Sequence, residues 1–168
     1  PRRAAKARLR AAALCLIVVA LAGPQWGVEL VATEAKTHQV VIAVDASLSM
    51  TAEDAKPNRL EKAKETLALL LDALKGQRVG IVAFAGEAAQ VCPLTTDAAA
   101  ARQILHGLST DMISVPGTAI GSALRTSVAA LRPYAGPKWV VLLSDGEDHK
   151  TDPLGAADEA AAAGVTVF

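Results

Sequence analysis

Aromatic residues and cysteines are scarce in this chain of 168 residues. Phe, Trp and Tyr together make up 3% of it, and the two cysteines are Cys15 and Cys92. Two cysteines, one of them inside an apolar N-terminal run, cannot form a disulfide framework, so a small disulfide-stapled fold is excluded. The core has to be aliphatic, and the length is sufficient for one domain of ordinary size. Cys92 is expected to pack as a small buried hydrophobe.

The chain also lacks net charge, but its charges are unevenly distributed. It contains 17 basic and 17 acidic residues, and no acidic residue lies among the first ten. Residues 27–168 carry 12 basic and 17 acidic residues. An acidic body of this kind argues against nucleic acid as a partner and is compatible with the binding of divalent cations. The five basic residues near the N-terminus are Arg2, Arg3, Lys6, Arg8 and Arg10.

Residues 1–10 form a basic segment in front of an apolar run. Ala11–Gly23 contains no charge, and as a helix it would cover about 20 Å, short of the roughly 30 Å of bilayer hydrocarbon. Flanking arginines can snorkel at one side and Trp26 can lie at the other interface. We therefore predict a transmembrane helix over residues 11–27.

A cleaved signal peptide is the alternative for this segment, because Ala20-Leu21-Ala22 resembles a cleavage site. Both interpretations place residues 1–10 in the cytoplasm by the positive-inside rule, and the remainder on the extracytoplasmic side. A buried core helix is disfavoured because the five flanking cations have no acidic counterpart.

Residues 28–38 are predicted to be a linker, and residues 39–168 show alternating strand and helix patterns. This order predicts an α/β domain with a doubly wound, mostly parallel sheet, helices on both faces and one antiparallel edge strand. Strands are predicted at Gln39–Val44, Arg78–Phe84, Ala88–Cys92, Lys138–Leu143 and Val165–Phe168. Helices are predicted at Asn58–Lys75, Asp97–Leu108, Ala119–Leu131 and Pro153–Ala163. On the first helix, a solvated face with spaced ion pairs is expected for Glu61, Lys62, Lys64 and Glu65.

Oxygen-bearing side chains follow the first strand at alternate positions: Asp45, Ser47 and Ser49. Carboxylate and hydroxyl oxygens are hard donors of the kind that bind Mg²⁺ or Mn²⁺. Asp145 ends a second apolar strand, and it would converge with Asp45 if the two strands were neighbours at the switch point of the sheet. Thr118 follows a Pro-Gly turn and precedes a helix, so it reads either as a helix N-cap or as a further oxygen donor.

These residues resemble the metal-ion-dependent adhesion site (MIDAS) of von Willebrand factor type A (VWA) domains. The resemblance runs from about His38 to Phe168, although Leu48 stands where many such domains have Gly. Several further stretches resemble the membrane-anchored VWA proteins of bacterial Bat (aerotolerance) operons. They are Leu21–Gln25, Ala52–Leu60, Arg78–Gly86, Cys92–Thr95, Gly117–Gly121 and Ser144–His149.

The resemblance implies a Rossmann-like domain that binds a divalent cation, Mg²⁺ or Mn²⁺. Hydroxyl ligands would come from Ser47, Ser49 and Thr118, while Asp45 and Asp145 would bind directly or through water. An Asp or Glu carboxylate of a protein partner would complete the octahedron. The family further implies assembly with sister VWA proteins and a MoxR-type AAA+ ATPase. The setting would be the bacterial cytoplasmic membrane, with one visible span, the VWA domain on the periplasmic side and a role in envelope stress tolerance or complex assembly.

Two other functions compete with this binding module. One is a metal-dependent hydrolase or phosphotransferase that uses Asp45 as nucleophile, with His149 as a base. It is disfavoured because the second acid of such phosphatases is replaced by Ser47, and because there is no P-loop or GxGxxG motif. The other is a structural domain without a working site. We therefore predict a non-enzyme whose partner-binding surface is the rim of the metal site, where Asp111, Asp148 and Asp152 would add negative potential.

Overall fold

The computed structural model describes residues 37–146, 148 and 151–168, together with Lys6, Arg8, Ala12–Leu14 and Ile17. The chain divides into two compact units, Pro1–Thr33 and Glu34–Phe168. The described residues of the first unit are helical. Among all the described residues, no helix is long and apolar enough to cross a bilayer. The helix predicted over residues 11–27 and the linker over 28–38 lie mostly outside those residues and stay predictions.

The second unit is built on one five-stranded sheet with the order β3-β2-β1-β4-β5. The central strand β1 pairs in parallel with β2 and β4, and β4 pairs in parallel with β5. β3 pairs antiparallel with β2 at the edge, as predicted. The strands are β1 (Gln39–Asp45), β2 (Arg78–Phe84), β3 (Ala88–Thr95), β4 (Lys138–Leu143) and β5 (Val165–Val167).

β3 continues past its predicted end at Cys92 to Thr95. Pro93 lies in this extension and cannot donate a backbone hydrogen bond, which an edge strand tolerates. The pairing with β2 shifts register between Val79 and Ile81 and again between Ile81 and Val82. The shifts in register accommodate Pro93, so β3 stays paired with β2 as far as Thr95.

Four α-helices connect the strands: α1 (Arg59–Ala73), α2 (Ala98–His106), α3 (Ile120–Leu131) and α4 (Pro153–Ala162). Polar side chains cap three of them. Asn58 Oδ1 accepts a hydrogen bond from Glu61 N at 2.8 Å, and Asp97 and Asp152 cap α2 and α4 in the same way. Each cap satisfies a backbone N–H that has no partner within the helix. Asn58 and Asp97, predicted as helical, are therefore the residues that precede the helices.

Two aliphatic cores lie on opposite faces of the sheet because successive side chains of β1 point to opposite sides. Val40, Ile42 and Val44 pack on the face that α1 and α2 cover, where Leu67, Leu71 and Leu105 are buried. Val41 and Ala43 pack on the other face, against α3 and α4. All seven residues of β1 are buried, which is the pattern of a central strand in a doubly wound sheet.

The solvated face predicted for α1 needs one correction. Lys64 is buried, with its Nζ 2.7 Å from Glu61 Oε1 and 3.3 Å from the carbonyl oxygen of His106, the last residue of α2. The sequence places Lys64 among charged neighbours, but α2 packs over this position. The lysine satisfies a carbonyl at the C-terminus of α2, where a cation is favoured by the helix dipole.

The chain leaves β1 toward β2 on one side and later enters β4 on the other side, so the strand order reverses between β1 and β4. Ligands of open α/β sheets bind beyond the carboxyl ends of strands at such a point. Asp45 ends β1 and Asp145 follows β4. The condition for convergence, that these two strands are neighbours, is met.

Candidate functional site

Asp45 is the anchor of the site at the end of β1. Its side chain has no exposed surface, and its Oδ1 accepts a hydrogen bond from the backbone N–H of Ser47 at 2.8 Å. The next residue, Ala46, donates its N–H to the carbonyl oxygen of Phe84 at the end of β2, at 2.7 Å. The loop that leaves β1 is therefore fixed both by the sheet and by the carboxylate.

Ser47 and Ser49 present their hydroxyls together, as their spacing predicts. Their Oγ atoms lie 2.8 Å apart. A short 3-10 turn, Leu48–Thr51, follows Ser47 and is closed by the hydrogen bond from Met50 N to Ser47 O. Leu48 lies between the two serines with its side chain 70% exposed, so this position faces outward while the hydroxyls face inward.

Ser144, which the sequence analysis did not assign to the site, joins the ends of β1 and β4. Its hydroxyl donates to Asp45 Oδ2 at 2.8 Å and accepts the N–H of Gly146 at 3.1 Å. Both oxygens of Asp45 are thus hydrogen-bonded. A buried carboxylate held in this way is better suited to organise a site than to attack a substrate as a nucleophile.

Asp145 lies beside Ser144, and its carboxylate contacts Arg59, the first residue of α1. Arg59 Nη1 is 3.0 Å from Asp145 Oδ2, and the Asp145 side chain is 13% exposed. Arg59 also binds Asp54 with two nitrogens, Nε at 2.9 Å from Oδ1 and Nη2 at 2.7 Å from Oδ2. The hydrogen bonds from Arg59 lower the pKa of Asp54.

Arg59 was also missed from the sequence, although one signal points to it. A cation in the first turn of a helix opposes the helix dipole, so a basic residue directly after the N-cap needs acidic partners nearby. Asp54 supplies one partner from the preceding loop, and Asp145 supplies the other from the loop after β4.

Thr118 is buried in the loop before α3, and it does not cap that helix. Ala119 holds the N-cap position. The first N–H groups of α3 are instead bound from the loop after β4: Ile120 N donates to Asp148 Oδ2 at 3.1 Å, and Gly121 N to Thr151 Oγ1 at 2.9 Å. Of the two interpretations of Thr118, the N-cap is therefore wrong.

The acids that were expected to add negative potential at the rim have other contacts. Asp148 accepts hydrogen bonds from Ile120 N and from the backbone N–H of Thr151, and Asp152 caps α4. These contacts hold loops together at the starts of α3 and α4, and the contribution of the two carboxylates to negative potential at the rim stays a prediction. Asp111 lines a cleft beside the site.

A close backbone contact brings the loop of Thr118 toward β2. Gly86 N donates to Val115 O at 2.9 Å, and a Cβ atom on Gly86 would lie 2.7 Å from Val115 Cγ1. Gly117 adopts φ +120°, a conformation that L side chains rarely adopt. Both glycines are required where two loops meet this closely.

A cleft of about 270 Å³ runs between this loop and the turn after β1. Its walls include Ser47 and Leu48 on one side, and Ser114, Val115 and Gly117 on the other. A second cleft of about 330 Å³ is lined by Arg59, Leu143 and Asp145. Of the predicted oxygen donors, Ser47 lines the first cleft and Asp145 lines the second.

Cys92 is buried in β3, and burial raises the pKa of its thiol. A thiol in this state is not a nucleophile at neutral pH. The prediction that Cys92 packs as a small hydrophobe agrees with this position.

The donor set fits a hard divalent cation. Within the part of the chain that the structure describes, no three His, Cys, Asp or Glu side chains cluster in a way that could hold a metal. Hydroxyl groups and water would have to supply much of the coordination, as Mg²⁺ accepts and softer metals do not prefer. His149 lies outside the described residues.

Comparisons with known proteins agree with the fold. The family model for the von Willebrand factor type A domain matches residues 40–147. A UPF0353 protein of Mycobacterium ulcerans (strain Agy99) is 33% identical over 161 residues, which cover 89% of this chain and 47% of that protein. The chain thus spans about half the length of the curated relatives it matches.

Solved structures of the same fold include two from Bacteroides. The conserved hypothetical protein BatB of Bacteroides thetaiotaomicron is 38% identical, with a TM-score of 0.74 over 78% of this chain and 64% of that one. An aerotolerance-related membrane protein of Bacteroides fragilis is 36% identical, with a TM-score of 0.73 over 78% and 65%.

A more distant neighbour, proximal thread matrix protein 1 from the mussel byssus, has zinc in its MIDAS motif. It is 23% identical, with a TM-score of 0.68 over 79% of this chain and 35% of that one, and this likeness shows the fold alone. The family model covers most of the sheet and the candidate site. The chain therefore belongs to the von Willebrand factor type A domain family.

Proposed function

We propose that this chain is a membrane-anchored VWA module that binds a protein partner through Mg²⁺ or Mn²⁺. The proposed ligands are the hydroxyls of Ser47, Ser49 and Thr118, and the carboxylates of Asp45 and Asp145, which bind directly or through water. The observation that carries the proposal is the hydrogen-bonded group of Asp45, Ser47 and Ser49 at the switch point of the sheet.

The roles of the residues follow from their contacts. Asp45 holds the loop after β1 through Ser47 N and holds the end of β4 through Ser144. Asp148 and Thr151 hold the start of α3, so Thr118 needs no part in capping. A bound cation would supply a concentrated positive charge and a coordination position for a carboxylate from outside. Because the proposed ligands come from three separate loops, the complete site would exist only in the folded domain.

The partner is proposed to offer an Asp or Glu side chain to the cation. Exposed apolar side chains of Leu48, Met112 and Val115 lie near this position on the loops that line the first cleft or flank it. Apolar area of this kind is typical of the centre of protein interfaces. Burial of Asp45 favours binding over the hydrolase alternative, which would use this carboxylate as a nucleophile.

The cellular setting belongs to the same proposal. Residues 11–27 would anchor the domain in the bacterial cytoplasmic membrane, with the basic residues 1–10 inside and the VWA domain outside. Partners would be sister VWA proteins and a MoxR-type AAA+ ATPase, reached through the cytoplasmic segment or another subunit. The sequence identity of 38% to BatB and of 36% to the aerotolerance-related membrane protein supports this proposal.

The metal is tested by thermal unfolding of the protein titrated with Mg²⁺ or Mn²⁺. Binding to the native state alone stabilises a protein by about 2.7 kcal/mol at a hundred times the Kd. We expect this gain in the natural sequence, its loss in Asp45→Ala and a smaller gain in Ser49→Ala. Ser49 is only half-buried, so its replacement should disturb folding less than the replacement of the buried Asp45. Asp158→Ala, which removes an exposed acid of α4, is the matched control and should behave as the natural sequence does.

Partner binding is tested by capture from membrane extracts with and without EDTA. The bound proteins should be released by EDTA and restored by Mg²⁺. An absence of any metal-dependent stabilisation in the natural sequence, together with capture that EDTA leaves unchanged, would contradict the proposal.

A further inference from the structure

Arg59 connects two carboxylates that belong to different parts of the chain. Its Nε and Nη2 bind the exposed Asp54, and its Nη1 lies 3.0 Å from Asp145 Oδ2. The Arg59 side chain is 34% exposed and that of Asp145 is 13% exposed. This pair is therefore more sheltered than an ordinary surface ion pair, and its charges are less screened by solvent and salt.

Helix geometry makes this position costly for a cation. Arg59 is the first residue of α1, where the helix dipole favours negative charge. The two forked contacts with Asp54 prevent the guanidinium from swinging away into solvent, since a planar guanidinium binds a carboxylate in a fixed geometry. The charge of Arg59 is thus held next to one proposed metal ligand.

We propose that Arg59 is a positioning residue that acts as an internal counter-ion for Asp145. It holds this carboxylate at the end of β4 and lowers the affinity of the adjacent site for a divalent cation. The inference rests on the proposed function, because it assigns to Asp145 a metal that Arg59 opposes. The physical reasons are direct competition for Oδ2 and Coulomb repulsion between the guanidinium and the cation.

The test compares Mg²⁺ binding by calorimetry and metal-free unfolding in the natural sequence, Arg59→Gln and Arg59→Lys. Arg59→Gln should bind Mg²⁺ more tightly, on the order of tenfold. Its metal-free form should unfold at a lower temperature because Asp145 loses its counter-ion. Arg59→Lys keeps the charge but cannot form the fork with Asp54, so its Mg²⁺ affinity should lie between those of the natural sequence and Arg59→Gln, whereas a merely structural role would leave the three affinities equal. Arg125→Gln, which breaks an exposed ion pair elsewhere, should leave Mg²⁺ affinity unchanged.

A second variant keeps the test decisive if Arg59→Gln does not fold. Asp54→Asn removes the charged fork that keeps the guanidinium beside Asp145, so Mg²⁺ binding should tighten, by less than in Arg59→Gln. Equal or weaker affinity in Arg59→Gln, or unchanged or weaker affinity in Asp54→Asn, overturns the counter-ion role. The proposed function can fail by itself. If the natural sequence does not bind Mg²⁺ or Mn²⁺ but Arg59→Gln does, the metal-binding function is wrong for the natural sequence and the counter-ion role of Arg59 stands. If neither binds the ions, both proposals fail.

Discussion

At the scale of single residues, the site depends on a carboxylate that solvent does not reach. Asp45 accepts hydrogen bonds from Ser47 N and Ser144 Oγ. Hydrogen bonds to a charged group are stronger than those between neutral groups, and a buried one is costly to lose. The negative charge of Asp45 therefore serves local structure as well as the proposed cation.

Replacement of Asp45 by Asn separates these two roles, because the shape is kept while the charge is lost. We expect Asp45→Asn to fold with a free energy of unfolding lower by roughly 1.5–3 kcal/mol and to lose Mg²⁺ binding. Urea unfolding and calorimetry measure the two effects. Asp158→Asn should change neither quantity. If Asp45→Asn bound Mg²⁺ as tightly as the natural sequence, the negative charge of the Asp45 carboxylate would not be needed for metal binding.

Gly86 decides whether the loop of Thr118 can approach the end of β2. A side chain there would overlap Val115 and Pro116, and overpacking of this kind costs about 1–3 kcal/mol. Gly86→Ala should lower the unfolding temperature and weaken Mg²⁺ binding, because the loop that carries Thr118 must move. In Gly107→Ala, a Cβ would meet only ordinary contacts of 3.5 Å or more, so both measurements should stay near those of the natural sequence. Equal effects of the two substitutions would contradict this explanation.

At the scale of elements, helices α3 and α4 are joined by an exposed pair. Arg125 holds Glu159 through two nitrogens at 3.0–3.1 Å. The hydrogen bond and charge of Arg125 lower the pKa of Glu159, and Glu159 in turn raises the pKa of Arg125. The pair is solvent-exposed, so its contribution to stability is small and sensitive to salt.

The pH dependence of this pair has a definite sign. Glu159 has a lower pKa in the folded state than its ordinary value of about 4.3. Its stabilisation is therefore present above the ordinary value and is lost as the pH falls through the lowered one. The stability difference between the natural sequence and Glu159→Gln should shrink over this acidic range and also in high salt. Urea unfolding between neutral and acidic pH measures it, and a difference that grows toward acid would contradict the assignment.

At the scale of the whole molecule, β1 supports two cores at once. Its side chains alternate between the face under α1 and α2 and the face under α3 and α4. Loss of packing on one face is therefore expected to weaken the domain as a unit, while the site at the end of the sheet keeps its ligands until the domain unfolds.

A pair of leucines on α1 tests this expectation. Leu67 is buried and Leu69 is 73% exposed on the same helix. Leu67→Ala should lower the free energy of unfolding by about 2–5 kcal/mol, while Leu69→Ala should change it by no more than about 0.5 kcal/mol. Mg²⁺ affinity of the folded protein should stay the same in both variants. Biphasic urea unfolding of Leu67→Ala would show instead that the two faces unfold separately.

Most of the fold could be predicted from local patterns. Apolar runs of strand length, helix periodicity and polar residues at helix starts depend on neighbours in sequence, and they placed the elements and Asp45, Ser47 and Ser49 at a strand end. The residues that were not predicted, such as Ser144 and Lys64, have partners far along the chain. Periodicity carries no information about such pairs, so they could not be inferred.

The sequence by itself determined the α/β class, the sheet with its antiparallel edge strand and the oxygen donors after β1, because hydrophobic burial and backbone geometry act over short stretches. Only the tertiary structure decided that Ser144 bonds Asp45, that Arg59 faces Asp145 and that Asp148 instead of Thr118 serves the start of α3. The reason is physical: hydrogen bonds and ion pairs form where folded loops meet, and the order of strands sets which loops meet.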